Sequence, residues 1–272
     1  MQRFSANPVS LVRSIASHRD LVVRLAQREF KQRYRGSFLG VFWAVLTPLV
    51  TAAMFTFVFS TVFAARWGKA STGPFDFAII FMLGMAVHSI FAEIISRAPT
   101  MMLNNASFVT KVVFPLEVLP IVSLVGALTN AAIAMGIVVV LQLVLNGKIE
   151  PTLVFLPVVL APYLVFLLAL SLIFAAIGVY LRDLGQLVGM LVTASLFLSP
   201  VFYPVEAVPV AFRGWMWLNP LTFIIEQSRA VALAGQWPDF DGLAIYMTSA
   251  LVLLALAYWM FQRLRIGFAD VL

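Results

Sequence analysis

Two ionisable residues, His88 and Glu93, lie inside the apolar stretch at about 76–96. If that stretch crosses a membrane, such side chains mark a functional site by default, and a proton relay is the chemistry they would serve. The sequence offers only this pair there, and a separation of five residues leaves the two side chains poorly aligned on one helix face. We therefore expect a local structural or gating role for them.

Motifs for other chemistry are missing from the sequence. The absence of cysteine excludes disulfides, thiolate catalysis and Cys-ligated metals. The sequence contains no G-x-x-x-x-G-K-[ST] phosphate loop, no H-E-x-x-H motif, no acidic metal cluster and no nucleophilic serine elbow. We therefore predict that the chain is not an enzyme and binds no cofactor or metal of its own.

The composition identifies the solvent in which the chain folds. Of 272 residues, 62% are hydrophobic and 11% are charged, whereas soluble domains contain roughly 25% charged residues. Five apolar runs approach or exceed the ~20 residues that cross a bilayer: 39–65, 76–96, 117–145, 152–180 and 243–262. A sixth run, Leu187–Tyr203, is shorter and leads into three prolines that break helices. We predict an all-α integral membrane protein with six transmembrane helices.

The segment Val205–Gly235 decides the topology. Six spans with both termini in the cytoplasm place thirteen Lys and Arg residues inside and five outside, in agreement with the positive-inside rule. A seventh span would bury Glu226 and Arg229 in lipid at about 2.5–3.5 kcal/mol for each charge. We therefore predict a re-entrant hairpin of two short helices in the outer leaflet. Its tip carries Trp215 and Trp217, since Trp favours membrane interfaces.

A cationic face precedes the first span. Arg24, Arg28, Lys31 and Arg35 follow one another at helical spacing and lie within about 60° of one another on a helix. The opposite arc is apolar apart from Glu29 and Arg33, which is typical of an amphipathic helix lying along a membrane surface. Two interpretations stay open: a topology anchor alone, or an anchor that also contacts a cytoplasmic partner.

Two inside segments could form a docking surface. Between the second and third spans, 97–115 alternates polar with apolar residues and predicts a short amphipathic helix with exposed Phe and Val side chains. It could simply cap two spans, but it is longer than a turn requires, so we favour docking. In the other inside loop, Tyr180–Gln186, the pair Arg182 and Asp183 can equally well just terminate a helix.

Polar residues within the spans have two interpretations. Trp43, Thr47 and Thr51 share one face of the first span and could line a path for a polar substrate. Small and hydroxylated residues are also common where membrane helices pack, and we favour packing. Glu226 and Arg229 are three residues apart and are predicted to pair with each other in a structural role.

Five short strings, found in this order, carry a family resemblance: Arg33–Trp43, Lys111–Pro120, Leu181–Gln186, Ser199–Pro204 and Asn219–Phe223. Together they resemble the permease subunits of bacterial polysaccharide ABC exporters, which serve capsule, O-antigen and teichoic acid export. The resemblance covers nearly the whole chain. It implies a single transmembrane domain over 1–272, with a cytoplasmic and interfacial part at 1–38, six spans at 39–262 and a cytoplasmic tail at 263–272.

The resemblance also implies partners. The chain would form a homodimer in the bacterial cytoplasmic (inner) membrane and join two ABC ATPase subunits, which bind the ATP and Mg. A polysaccharide or lipid-linked glycan would be the substrate, membrane lipids would surround the dimer, and periplasmic accessory export proteins are further candidate partners. Nucleic acid is not expected, because the net charge of +6 is concentrated near the N-terminus, where anionic lipid explains it.

Residue roles follow from the same resemblance. The ATPase-coupling element would be the loop helix with Asn104, Asn105, Phe108, Thr110, Lys111, Phe114 and Pro115, and the second contact Arg182, Asp183 and Leu184. The interfacial helix with Arg24, Arg28, Lys31 and Arg35 would lie beside the ATPase, and the hairpin Ser199–Arg229 would help to close the exit. Candidates for the substrate path or gate, with packing or lipid contact as the alternative, are Trp43, Thr47, Thr51, Phe55, Phe59, Tyr203 and Trp217.

Three other functions are weighed against this one. The chain could be an ABC permease for a drug or a lipid, which the hydrophobic pattern alone cannot separate from a polysaccharide permease. An ion-coupled secondary transporter would need more intramembrane charge than His88 and Glu93 provide, and it usually shows repeated halves. A membrane enzyme acting on lipid intermediates would need clustered carboxylates or histidines, which the sequence lacks.

Overall fold

The computed structural model describes residues 8–62, 74–110 and 114–272. All regular elements in these ranges are helical, which confirms the predicted all-α class for this part of the chain. The α-helices are α1 (Pro8–Ser17), α2 (Arg19–Tyr34), α3 (Trp43–Thr56), α4 (Pro74–Arg97), α5 (Ala106–Thr110), α6 (Val118–Asn146), α7 (Leu156–Tyr180), α8 (Leu184–Leu198), α9 (Val210–Leu218), α10 (Pro220–Ala232), α11 (Phe240–Leu264) and α12 (Phe268–Val271).

Five helical stretches are long and apolar enough to cross a membrane. They match the five long apolar runs of the sequence, because only a helix satisfies its own backbone groups in lipid. The chain is therefore a multi-pass membrane protein. The five stretches are Gly40–Phe59, Phe75–Thr100, Val118–Asn146, Pro151–Tyr180 and Phe240–Val271.

The sixth apolar run forms a shorter helix with different bounds. α8 begins at Leu184, inside the segment predicted as a loop, and ends at Leu198, before Pro200. The turn between α7 and α8 is tight, since α7 closes with a hydrogen bond from the Leu181 amide to the Ile177 carbonyl and α8 starts three residues later. At 1.5 Å per residue, α8 is about 22 Å long, short of the ~30 Å hydrocarbon core.

α4 is the most deeply buried of the five long helices. It contacts α3, α6, α7, α8 and α10, while α7 forms a second extensive contact with α11. Its apolar side chains supply much of the main core, which includes Phe81, Ile90 and Ile94. In the first span, by contrast, Ala52 is the only buried residue within this single chain, and the others are partly or fully exposed.

The end of α4 is pressed against the end of α7. A 3-10 turn, Ala98–Thr100, follows α4 and packs on α7. A Cβ atom added at Gly178 would overlap the carbonyl group of Pro99. Glycine is therefore required at this position for the close approach of two backbones.

We predict that Gly178→Ala lowers the stability of the protein. The added methyl group would force the backbone of Pro99 away, and such overpacking costs about 1–3 kcal/mol. The measurement is the apparent melting temperature of the purified protein in a fixed detergent. Gly189→Ala is the matched control, because a Cβ atom at Gly189 on α8 meets open space. Equal effects of the two substitutions would contradict the requirement for close approach.

Candidate functional site

The predicted coupling loop between α4 and α6 is a series of short turns. The turns Ala98–Thr100 and Leu103–Asn105 precede the five-residue helix α5, so the predicted amphipathic helix is present in broken form. Side-chain hydrogen bonds stabilise the turns. The side-chain amide of Asn105 donates to the Met101 carbonyl at 2.9 Å, and the side-chain amide of Asn104 donates to the Thr100 hydroxyl at 3.3 Å. Lys111 and the side chain of Thr110 lie outside the described residues.

The aromatic residues of this loop face inward. The rings of Phe108 and Phe114 stack with their centroids 4.6 Å apart, and both are half-buried against a core formed by α7, α11 and Phe268. The predicted exposure of Phe108 is therefore wrong. Packing against this core removes more apolar area from water than an outward-facing Phe108 would. In the described part of the loop, the exposed residues are Thr100, Asn104 and Ser107. Pro115 is half-buried, and its carbonyl accepts the amide of Val118 at the start of α6.

The second predicted coupling segment lies at the same end of the bundle. Arg182 and Asp183 are exposed in the turn between α7 and α8, and Leu184, which begins α8, is half-buried. The turn Ala98–Thr100 contacts both α7 and α8. The loop residues that protrude from this end can therefore be reached by one large partner.

α2 has the two faces that the sequence predicts. The side chains of Arg24, Arg28, Lys31 and Arg35 are exposed, whereas Val22 and Ala26 are buried against α6. A cleft of about 590 Å³ separates α2 from the coupling loop. Arg28 and Gln32 line one side of it, and Asn104, Asn105 and Ser107 line the other.

Glu29 and Arg33, which interrupt the apolar arc of α2, fix this helix to the bundle. Arg33 pairs with Glu93, and Glu29 pairs with Arg97, both on α4. Arg97 also approaches Glu93 at 3.4 Å. The Asn130 amide on α6 donates to the same carboxylate at 2.8 Å. Glu93 thus has the local structural role expected for it.

His88 has a separate partner. Its Nε2 atom lies 3.0 Å from the hydroxyl of Ser195 on α8, and only 3% of the residue is exposed. Its hydrogen bond therefore joins α4 to α8, while the bonds of Glu93 join α4 to α2 and α6. The two residues stabilise different helix contacts, as expected from their poor alignment on the helix.

The seven predicted path residues fall into three places. Trp43, Thr47 and Thr51 line a cleft of about 390 Å³ between α3, α4 and α6, together with Ser89 and Asn130. Phe55 and Phe59 belong to an aromatic cluster, each with its ring centroid 5.1 Å from that of Phe202. Tyr203 is half-buried and donates its hydroxyl to the Phe197 carbonyl, and Trp217 is exposed. Within one chain, these residues do not form one surface.

The two short helices predicted after α8 are α9 and α10, and Arg229 attaches them to the bundle. Arg229 pairs with Glu226 at 3.0 Å, as predicted. It also donates to the carbonyls of Pro200 and Val201, which the end of α8 leaves without helical partners. These two contacts could not be predicted from residue spacing, because Pro200 and Val201 are far from Arg229 along the chain. A Cβ atom at Gly84 on α4 would lie 2.5 Å from the guanidinium, so a larger residue there would displace Arg229 from its present position.

Asn219 fixes the corner between α9 and α10. Its side-chain amide donates to the Ser199 hydroxyl at 2.9 Å and to the Leu198 carbonyl at 3.1 Å. Its side-chain oxygen accepts the backbone amide of Leu221 at 3.0 Å and so caps the start of α10. One asparagine therefore joins the end of α8 to the start of α10.

We predict that Glu93→Gln destabilises the protein by about 1–3 kcal/mol, because it leaves the partly buried guanidinium groups of Arg33 and Arg97 without their shared negative charge. The apparent melting temperature of the purified protein measures this effect. Asp20→Asn is the matched control, since the Arg19–Asp20 pair is exposed and 3.9 Å long. A Glu93→Gln protein as stable as the control would contradict the structural role of the network.

Comparisons with known proteins agree with the family resemblance. The sequence model of the family described as ABC-2 type transporter matches residues 20–233. The chain is 31% identical over 264 residues to the O-antigen export system permease protein RfbA of Myxococcus xanthus, covering 96% of this chain and 99% of that protein.

More distant relatives extend over similar lengths. A protein of the same name from Klebsiella pneumoniae is 23% identical, with 93% of this chain and 95% of that protein covered. The polysialic acid transport protein KpsM of Escherichia coli is also 23% identical, with 84% and 92% covered. The resemblance found in the five sequence strings is thereby confirmed, and the chain belongs to the ABC-2 type transporter family.

Proposed function

We propose that this chain is the membrane-spanning permease subunit of an ATP-driven exporter, which moves a polysaccharide or lipid-linked glycan across the bacterial cytoplasmic membrane. The observation that carries this proposal is the end-to-end similarity to a protein named as an O-antigen export permease, at 31% identity. The match includes α2, the coupling loop and the α9–α10 hairpin. ATP and Mg bind to the partner ATPase in this proposal, and the permease itself carries out no catalysis.

The proposed topology has six spans, with α8 as a short sixth span and both termini in the cytoplasm. The exposed cations of α2 then lie on the cytoplasmic side, within reach of anionic lipid headgroups and of a cytoplasmic partner. α9 and α10 have nine and thirteen residues, too few to cross a bilayer. They form a re-entrant hairpin in the outer leaflet, and the exposed rings of Trp215 and Trp217 lie at the interface.

The proposed ATPase-docking surface combines three features at one end of the bundle. These are the cationic face of α2, the exposed Asn104 and Ser107 of the coupling loop, and the turn with Arg182 and Asp183. The cleft between α2 and the coupling loop is a depression in this surface, and an ATPase element can fit into it. Movement of the ATPase pair would push the loop and shift the whole bundle.

A second copy of the chain completes the proposed exporter. In the first span only Ala52 is buried within one chain, and α8 exposes Leu187, Met190, Leu191 and Phe197. A homodimer would cover part of this surface, and the glycan would pass between the protomers. Exposed aromatic faces such as Trp43 and Trp217 suit such a path, since they contact sugars without demanding many directional hydrogen bonds. Periplasmic accessory proteins would receive the polymer.

We expect impermeant maleimide reagents to report this topology directly, because the chain has no cysteine of its own. In intact cells with a permeable outer layer, Lys148→Cys and Trp237→Cys should be labelled from outside. Ser107→Cys, Arg182→Cys and Val271→Cys should react only after the inner membrane is opened. Labelling of Val271→Cys from outside would instead support a seventh span and overturn the hairpin.

We expect the tagged chain, purified from its native membranes in mild detergent, to retain an ABC ATPase at about one copy per permease. Asn104→Arg and Ser107→Arg together should remove most of this ATPase without loss of folded permease, since two large cations are introduced into the docking surface. Asn146→Arg, at an exposed site at the opposite end of α6, is the control. A folded wild-type permease with no ATPase in several detergents would favour the ion-coupled transporter instead.

The cargo is tested in cells. Loss of the permease should reduce polysaccharide at the cell surface while the lipid-linked glycan accumulates inside the inner membrane. Unchanged surface polysaccharide, together with changed drug resistance or lipid distribution, would transfer the proposal to the alternative ABC permease for a drug or a lipid.

A further inference from the structure

A buried ion pair joins the end of the coupling loop to the end of the last span. The Arg265 guanidinium, directly after α11, donates from Nη1 to the Glu117 carboxylate at 2.9 Å and from Nη2 to the Phe114 carbonyl at 2.8 Å. Glu117 directly precedes α6, and the Arg265 and Glu117 side chains are only 11% and 8% exposed. One guanidinium therefore holds both a side chain and the backbone at the end of the loop.

The same ion pair reaches the N-terminal helix. The second oxygen of the Glu117 carboxylate accepts the Ser14 hydroxyl of α1 at 2.9 Å. On α11, Tyr258 lies 3.0 Å from the Ser10 hydroxyl and accepts the Gln262 amide at 2.7 Å. α1, the coupling loop and α11 thus meet in one polar cluster.

α7 is attached to this cluster as well. The Tyr180 hydroxyl donates to the Leu264 carbonyl at 2.8 Å, and a Cβ atom at Gly267 would lie 2.6 Å from that hydroxyl. The start of the coupling loop is held differently, by packing of Pro99 on Gly178 of α7. The two ends of the loop therefore contact α7 and α11 through separate interactions.

The geometry of the Arg265 side chain favours transmission of movement from the coupling loop to α11. A guanidinium has several donors fixed in a planar fork, whereas the ammonium group of lysine is a single point on a flexible stem. Holding Glu117 and Phe114 at fixed positions around the fork restricts rotation as well as translation. Breaking a buried pair leaves an uncompensated charge, so the loop and α11 resist separation.

We propose that Glu117 and Arg265 are positioning residues that make the last span follow the coupling loop when the ATPase pushes it. This inference rests on the proposed function. Without the fork, the loop can move relative to α11, and ATP is hydrolysed without a matching movement of the bundle. Neither residue contacts nucleotide or cargo in this role, and both act through the segments that they join.

The first test compares Arg265→Lys with Arg263→Lys. Arg263 is two residues away, and its guanidinium lies over the Trp259 ring at 5.3 Å from the centroid, which makes it a matched control. ATP hydrolysis is measured on the complex purified with its own ATPase, and export is measured as surface polysaccharide per folded complex in the membrane.

Arg265→Lys should keep ATP hydrolysis within about twofold but lower export by about fivefold or more, a size typical of residues that modulate coupling. The control should change neither quantity. A purely structural pair would lower the amount of complex without changing export per complex. That outcome, or full export by Arg265→Lys, would overturn the proposal.

The second test needs no ATPase. Spin labels on Ser107→Cys and Ile266→Cys, both exposed positions in a chain without native cysteine, report the distance between the coupling loop and the end of α11. The distance distribution should be narrow with Arg265 and broad with Arg265→Lys. An equally narrow distribution in both would overturn this inference alone, whereas a wild-type permease without an ATPase would overturn the proposed function.

Discussion

Every backbone carbonyl that is left free at a helix end inside a bilayer needs a donor from the protein, because the hydrocarbon core contains no water to supply one. The long helices of this chain meet the requirement along most of their length. Side chains meet it where helices stop. Arg229 serves the carbonyls after α8, and Asn219 serves the last carbonyl of α8 itself. At the other end of the bundle, Arg265 donates to the Phe114 carbonyl in the coupling loop, and Tyr180 donates to the Leu264 carbonyl at the end of α11. The breaks in the helices are thus the places where polar residues had to be placed.

The charged residues of α2 divide into two groups by the direction in which their side chains point. Arg24, Arg28 and Lys31 remain exposed on α2, whereas Glu29 and Arg33 on the same helix turn towards α4. The exposed group is free to contact lipid headgroups or a partner, and the inward group fixes the orientation of the helix that carries it. One helix can therefore combine a rigid attachment with an accessible cationic surface.

Hydropathy and local spacing predicted most of the architecture. Five spans were evident because lipid demands about twenty apolar residues in succession, and the Glu226–Arg229 pair was evident because its members are three residues apart. The inward direction of Arg33 could not be predicted, since its partner Glu93 is sixty residues away. The same holds for Arg265, whose carboxylate partner is 148 residues away. The burial of Phe108 depends on α7 and α11, which its own segment does not encode.

Arg229 also has a consequence for biosynthesis. Four of its hydrogen-bond partners precede it in the chain: Ile80 on α4, Pro200 and Val201 after α8, and Glu226 one turn earlier. A chain made from the N-terminus therefore has these acceptors in place before α10 is complete. The charge need never enter lipid alone, where it would cost about 2.5–3.5 kcal/mol. A rearranged gene that encoded α10 before α4 and α8 would lose this protection, so the order of helices along the chain is itself part of how a buried arginine is tolerated.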